Sequence, residues 1–281
     1  MRYIALLRPH QWYKNLLVFL PLMFSGNLIN LAELSNSLLA FASFCALSSS
    51  TYVINDMADR HKDKLHPEKK NRPIASGAIG INTAITIATI ALLTGLGLAT
   101  LLPSRFIIAG LAYFAISQFY TIWLKHEPFA DILTIAVNFV IRAVAGAIAI
   151  SVWISPWLIS GVFFLALFLA TGKRRGEIHL LQSNAAQQRT TLESYTPETI
   201  SKLSTLSTTA LIISYSLYVF FGSHQGLFIT LPFAIYAILR YDSLIESGNK
   251  IARHPQLVIT DKRMLFAMLS WLALTLLVIY L

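Results

Sequence analysis

The sequence predicts an all-α integral membrane protein, and three observations point there. Of 281 residues, 56% are hydrophobic and only 12% are charged, outside the composition of ordinary soluble domains. Nine apolar stretches, about 16–30, 37–54, 82–102, 105–124, 129–152, 156–172, 203–222, 226–240 and 263–281, approach the length a helix needs to cross hydrocarbon. Their apolar residues lie all round rather than on one stripe, and alternating ten-residue β segments are missing. A helical bundle follows, because in lipid the backbone must satisfy its own hydrogen bonds. The stretches at 156–172 and 226–240 are the shortest.

The net charge of +9 would suggest a nucleic-acid partner in a soluble protein, but its placement argues against one. With nine spans, 20 of the 22 Lys and Arg fall on one side of the membrane: the N-terminus, residues 55–81, Lys125, residues 173–202 and residues 240–263. Arg105 alone falls on the other side, and Arg142 lies within a span. The positive-inside rule then places the N-terminus and the long loops in the cytoplasm, as in a bacterial-type cytoplasmic (inner) membrane. The first stretch follows basic residues without a small-x-small cleavage site and reads as a retained span. Cys45 is the only cysteine and lies within the second stretch, so neither a disulfide framework nor a cysteine metal site is expected. Residues 1–281 read as a single transmembrane domain with cytoplasmic loops at about 55–81, 173–202 and 240–263.

Loops on the outer side are short, so function should sit where polar residues gather. The first long loop continues from the second stretch. In it Asp56, Asp59 and Asp63 are spaced i, i+3, i+7, and on a continuing helix they line one face, with Asn55 on the membrane side. Three carboxylates on one stripe repel each other unless a cation sits between them. Mg²⁺ takes one or two carboxylates and completes its shell with water and substrate phosphate, so the spacing suits metal-bridged diphosphate binding. The bland reading is a solvated helix end paired with Arg60, Lys62 and Lys64.

The string N-D-x-x-D-x-x-x-D from Asn55 to Asp63, followed by Arg72-Pro73-x-Ala75-Ser76-Gly77, resembles the UbiA superfamily of intramembrane prenyltransferases. The resemblance covers nearly the whole chain. It implies a UbiA-like fold of nine helices around a central cavity. It also implies that Asp56, Asp59 and Asp63 bind Mg²⁺ and the diphosphate of a substrate and are central to catalysis.

Two departures refine it. Typical members carry a second acidic D-x-x-x-D motif after the sixth helix, whereas here that loop reads from Thr171 to His179 as T-G-K-R-R-G-E-I-H. Lys173 and Arg174 suit phosphate there, as point charge and planar fork, unless they only anchor a helix end. The start, Arg8-Pro9-His10-Gln11-Trp12-Tyr13-Lys14-Asn15, resembles one branch of the superfamily, the decaprenyl-phosphate phosphoribosyltransferases. The G-K-R-x-x-E pattern ending at Glu177 and Leu239-Arg240-Tyr241 are similar to that branch too. Trp12 and Tyr13 also fit a plain interfacial belt.

The fifth stretch adds Asp131, Asn138 and Arg142 on one stripe of an apolar helix, with Gly146 a turn beyond. An intramembrane Arg should face the bundle interior or a wet cavity. Asp131 is three turns away, so the partner of Arg142 must come from another helix or from substrate. His61, His66 and His179 read as solvated loop histidines, and no P-loop, dinucleotide glycine motif, H-E-x-x-H or nucleophile elbow is present.

Together these imply transfer of 5-phosphoribose from phosphoribosyl diphosphate (PRPP) to a polyprenyl phosphate, decaprenyl-type in the branch it resembles, with Mg²⁺ and release of pyrophosphate. The expected substrate contacts are Lys14, Asn15, Asn55, Arg72, Asp131, Asn138, Arg142, Lys173, Arg174, Glu177 and Arg240. Membrane lipid is a partner and nucleic acid is not; a homo-oligomer is compatible with the sequence. The alternative enzyme moves a polyprenyl group from its diphosphate to an aromatic acceptor. A transporter would show broken helices and intramembrane ion sites, and a purely structural scaffold leaves the aspartate stripe unexplained.

Overall fold

The computed structural model describes residues 2–181 and 194–281. Its α-helices are α1 (Arg2–Leu7), α2 (Leu20–Phe24), α3 (Leu31–Leu65), α4 (Ile81–Ala99), α5 (Ser104–Ile122), α6 (Ala130–Ala149), α7 (Pro156–Leu181), α8 (Pro197–Phe221), α9 (Leu231–Glu246) and α10 (Lys262–Tyr280). Among the described residues, eight helical segments are long and apolar enough to cross a membrane, α3 to α8, Gly226–Glu246 and α10. The protein is a multi-pass membrane protein.

The first apolar stretch takes a different form. Residues Pro9–Phe19 are a 3₁₀ helix, followed by the five residues of α2 and a turn to α3, so 16–30 forms no long α-helix. Proline supplies no N–H at position 9 or 21, and Arg8 just before the segment has the left-handed φ of 53°. The loop boundaries also shift. α3 carries all three aspartates before ending at Leu65, and α7 runs through Lys173, Arg174 and Glu177 to Leu181. The acidic stripe is helical as the spacing requires, and the basic run is helical where a loop was expected. Arg174 to Glu177 is an i, i+3 ion pair, which supports the added turns.

The chain divides into two compact units. The first comprises Met1–Glu127 and Ile141–Trp153. Its core joins Val18, Phe44, Leu47, Phe106, Tyr113 and Ala145, while a second cluster joins Leu6, Val53, Ile74, Ile79, Ala84 and Ala88. α3 packs along α4, where Ser43 Oγ donates to the Gly95 carbonyl at 2.8 Å. A Cβ on Gly95 would lie 2.8 Å from Leu47 Cγ, so the missing side chain sets this approach. Gly146 does the same for α6 against the 3₁₀ helix, since a Cβ there would meet the Val18 carbonyl oxygen at 2.1 Å.

The second unit comprises Pro128–Val140 and Ile154–Leu281. Here α7 packs against α8, with one cluster around Ile132, Leu167, Tyr195 and Ile200 and another around Phe168, Leu211, Tyr241, Ile245 and Met264. Thr196 caps α8 and Asp261 caps α10 through side-chain oxygens that accept backbone N–H groups.

Candidate active site

In the first unit, the stripe on α3 ends in a cluster of carboxylates that are all paired with cations. Arg8 donates to Asp56 Oδ1. Arg72 Nη1 bridges two aspartates, 3.0 Å from Asp56 Oδ1 and 2.7 Å from Asp63 Oδ2. Lys125 Nζ donates to Asp59 Oδ1 at 2.7 Å, and Asn55 Nδ2 donates to Asp59 Oδ2 at 3.1 Å. Thr121 Oγ1 in turn donates to Asn55 Oδ1 at 3.4 Å. Asp56 and Asp63 are buried, whereas the Asp59 side chain keeps 22% of its surface exposed. Local structure puts them there: i, i+3, i+7 spacing aligns the acids, and the turn from Arg72 to Ile79, closed by Ile79 N–H to the Pro73 carbonyl at 3.0 Å, brings Arg72 back over them.

A second group of cations adjoins the stripe. Arg142 is buried; its Nε donates to Asn15 Oδ1 at 2.8 Å, its Nη2 to Tyr113 Oη at 2.9 Å, and its guanidinium lies 4.6 Å from the Tyr113 ring centroid. Asn15 Nδ2 lies 3.1 Å from Ser48 Oγ and 3.3 Å from Cys45 Sγ. Trp12 Nε1 donates to Ser49 Oγ at 3.0 Å. The Arg8 guanidinium is 5.4 Å and the Lys14 ammonium 6.0 Å from the Tyr52 ring centroid. Burial first, then repulsion from Arg142 and Arg8, pulls the Lys14 ammonium down from 10.5 to about 7. Arg8, Lys14, Arg72, Lys125 and Arg142 thus stand against three carboxylates, and the site is net positive.

Carboxylate oxygens and the Asn55 amide carbonyl are the hard donors that Mg²⁺ accepts, so the donor chemistry on α3 fits that ion. Among the described residues, no three His, Cys, Asp or Glu side chains form a ready-made cage. The fit is therefore to an ion held by one or two carboxylates, with the rest of its shell supplied by water and phosphate.

In the second unit, several residues expected to meet substrate are engaged with each other. Arg174 is buried and donates from Nε to Asp131 Oδ2 at 2.8 Å and from Nη1 to Glu177 Oε2 at 2.5 Å. Tyr195 Oη donates to Asp131 Oδ1 and accepts the Phe129 N–H at 3.0 Å. Burial, with the Asp131 hydrogen bond second, raises the Tyr195 phenol above its ordinary value. Arg174 is therefore no free phosphate fork, because helix α7 aims it into the protein at two carboxylates. Asp131 and Glu177, expected among the substrate contacts, are the two carboxylates it engages. Arg240 Nη2 donates to Asp261 Oδ2 at 2.7 Å and holds that carboxyl below its usual range, a contact that ties α9 to the cap of α10. Asn138 is half-buried on α6 and Lys173 half-buried on α7.

The histidines divide. His61 is exposed as expected, but His66 is buried, its Nδ1 accepting the Glu68 and Lys69 N–H groups at 3.1 and 3.3 Å, so it staples the loop after α3. The side chain of His179 and residues 182–193 of the expected loop 173–202 lie outside the described residues. Sequence reasoning missed Lys125, noticed only as a topological charge, and Tyr52, Tyr113 and Thr121, which offered no motif. It quoted Arg8 without assigning it a contact.

Residues 18–269 match the UbiA prenyltransferase family. The chain is similar to a decaprenyl-phosphate phosphoribosyltransferase of Mycolicibacterium smegmatis, 34% identical over 287 residues that cover 96% of this chain and 89% of that protein. It is 33% identical over 279 residues to one from Mycobacterium tuberculosis, covering 96% of this chain and 91% of the relative. Among solved structures it resembles a UbiA homolog from Archaeoglobus fulgidus bound to DMAPP and Mg²⁺, with a TM-score of 0.75 at 22% identity over 99% of both chains, a likeness of fold. With an all-helical membrane fold, an aspartate stripe ending its longest helix and a match along most of its length, the chain belongs to the UbiA prenyltransferase family.

Proposed function

We propose that the protein transfers 5-phosphoribose from PRPP to a polyprenyl phosphate and releases pyrophosphate. The observation that carries this reading is the net positive charge of the site: Lys14 and Arg142 gather beside a stripe whose three carboxylates are already balanced by Arg8, Arg72 and Lys125. Such an excess suits two phosphorylated substrates. A prenyl transfer to an aromatic acceptor brings only one. The names and coverage of the relatives support the same reading.

In this proposal Asp56, Asp59 and Asp63, with Asn55, would supply the one or two carboxylates and the amide oxygen that hold Mg²⁺ beside the PRPP diphosphate. When bound, Mg²⁺ supplies neutralisation of the charge on the leaving group. Arg8, Arg72 and Lys14 bind phosphate oxygens, Arg142 is aimed by Asn15 and Tyr113, and Lys173 keeps a phosphate-binding role. A lipid phosphate oxygen attacks the anomeric carbon, the bond to the diphosphate oxygen breaks, and pyrophosphate leaves with the electron pair. Because the attacking phosphate is already ionised, no strong base is required, and positioning with fixed charge does the catalysis. Asp131, Arg174 and Glu177, and separately Arg240, serve the second unit's structure in this reading. The polar end of α3 and the N-terminus face the cytoplasm of a bacterial-type inner membrane.

The test is turnover by purified protein in lipid nanodiscs. Ribose-labelled PRPP with decaprenyl phosphate and Mg²⁺ is expected to give a labelled product extractable into organic solvent. Turnover of a prenyl diphosphate with an aromatic acceptor, and none of PRPP, would replace this reading with the prenyl-transfer one.

A further inference from the structure

A single nitrogen, Arg72 Nη1, lies 3.0 Å from Asp56 Oδ1 and 2.7 Å from Asp63 Oδ2, between two of the carboxylates that would hold a divalent ion. Arg8 holds the same Asp56 oxygen from the other end of the first unit's chain. Two carboxylates seven residues apart on one helix face repel each other, so an anchored guanidinium between them is strongly favoured, and a hydrated ion must displace it to bind. The anchor can let go. Its backbone is fixed by Pro73 and by the Ser76 N–H to Arg72 carbonyl bond at 2.9 Å, but its side chain is 25% exposed and its donors match a phosphate as well as a carboxylate.

We propose that Arg72, seconded by Arg8, makes metal capture conditional on diphosphate. The guanidinium holds Asp56 and Asp63 until a diphosphate offers it anionic oxygens, and only then are the carboxylates free for the ion. The two ligands therefore bind cooperatively, and the coupling is a property of Arg72. This rests on the reading of the α3 carboxylates as metal ligands, and the coupling is a separate claim from the identity of the donor.

The experiment needs neither PRPP nor lipid. Mn²⁺ binding to purified protein in detergent is followed by the EPR signal of the free ion, with and without inorganic pyrophosphate, the solution complex of the two being measured separately. Wild type is expected to bind Mn²⁺ at least tenfold more tightly with pyrophosphate than alone. Arg72→Met is expected to bind Mn²⁺ alone at least tenfold more tightly than wild type, with most of the pyrophosphate effect gone. Arg72→Lys, which keeps a charge and guards against a folding defect in the first variant, should fall between. Equal Mn²⁺ affinity in wild type and Arg72→Met, or tight binding to wild type without pyrophosphate, overturns the coupling and leaves the metal assignment standing. Absence of Mn²⁺ binding under every condition overturns both.

Discussion

Arg142 on α6 donates its Nε–H to the side-chain carbonyl of Asn15, 2.8 Å away and 127 positions earlier in the chain. The Asn15 amide nitrogen is taken up by Ser48 and Cys45, which fixes the carbonyl toward the arginine. A cation in an apolar helix is thus positioned in part by the neutral groups of Asn15 and Tyr113 and by the face of the Tyr113 ring.

Asn15→Ala should cost about 1.5–3 kcal/mol, the worth of a hydrogen bond to a charged group, and should lower kcat/KM. Arg142→Met, which removes the buried charge itself, should cost less stability and more activity. Thermal unfolding and steady-state kinetics on both variants separate the two effects; equal activity losses without any difference in stability would count against the positioning role of Asn15.

The aspartates should differ. Asp59→Asn removes the most exposed carboxylate and strands one cation, Lys125, together with the Asn55 amide, so folding should survive while Mg²⁺-dependent turnover drops at least a hundredfold. Asp56→Asn leaves Arg8 and Arg72 short of a charge in a buried place and should also lower the melting temperature. Near-normal activity of either variant across a Mg²⁺ titration would remove that aspartate from the metal site.

Breaking the Asp131–Arg174 pair from one side should cost about 3–5 kcal/mol, because the remaining charge stays buried. Arg174→Met is expected to show it as a lower melting temperature with KM for PRPP little changed. The double variant Arg174→Met, Asp131→Leu should recover part of the loss. A raised KM at unchanged stability would instead restore Arg174 to the substrate.

Lys14 carries a pH signature. Its folded value, about 7, lies below the ordinary 10.5, so between those values the unfolded chain binds more protons than the folded one. Stability should therefore rise with pH across that window, and the cost of the charged Lys14 is greatest below pH 7. The difference in melting temperature between wild type and Lys14→Met, followed from pH 6 to 10, isolates this slope. A constant difference would mean that Lys14 is hydrated. By the same sign, binding of an anionic phosphate beside Lys14 near pH 8 should take up a proton, measurable by calorimetry in buffers of different ionisation heat.

Orientation is open to labelling. Cys45, the native cysteine, is buried, so cysteines introduced beside Lys69 and Asn249 report cleanly and should react only from the cytoplasm, and one beside His224 only from outside. Reaction of positions 69 and 224 from one side would overturn the topology drawn from charge.

What the sequence made legible was local or repetitive. The aspartate stripe needs only helix arithmetic from Asp56 to Asp63, and the long apolar helices announce themselves by length. The partners of those aspartates were hidden because Arg8 and Lys125 meet them across sequence separations of 48 and 66, a matter of packing alone. Arg174 misled for a different reason. Three consecutive basic residues at the end of an apolar stretch look like a wet loop, but one more turn of α7 carries the middle one inward to Asp131, a partner whose own sequence neighbourhood gives no hint of it. The first stretch misled because hydropathy registers apolar length and is blind to whether the helix has 3.6 or 3 residues per turn.

That last distinction bears on how the N-terminal segment tolerates change in length. At three residues per turn, Trp12, Asn15 and Val18 stack in one straight file, and each meets its own neighbour: Ser49, then Ser48 and Arg142, then the fully buried apolar cluster. At 3.6 residues per turn, the same three would fan out by about 60° per step and could not all face inward. The segment therefore counts in threes. An inserted residue turns everything beyond it by about 120° and swings Asn15 away from Arg142, whatever its hydrophobicity, while three inserted residues bring the file back into line. Spelling, in this stretch, matters less than metre.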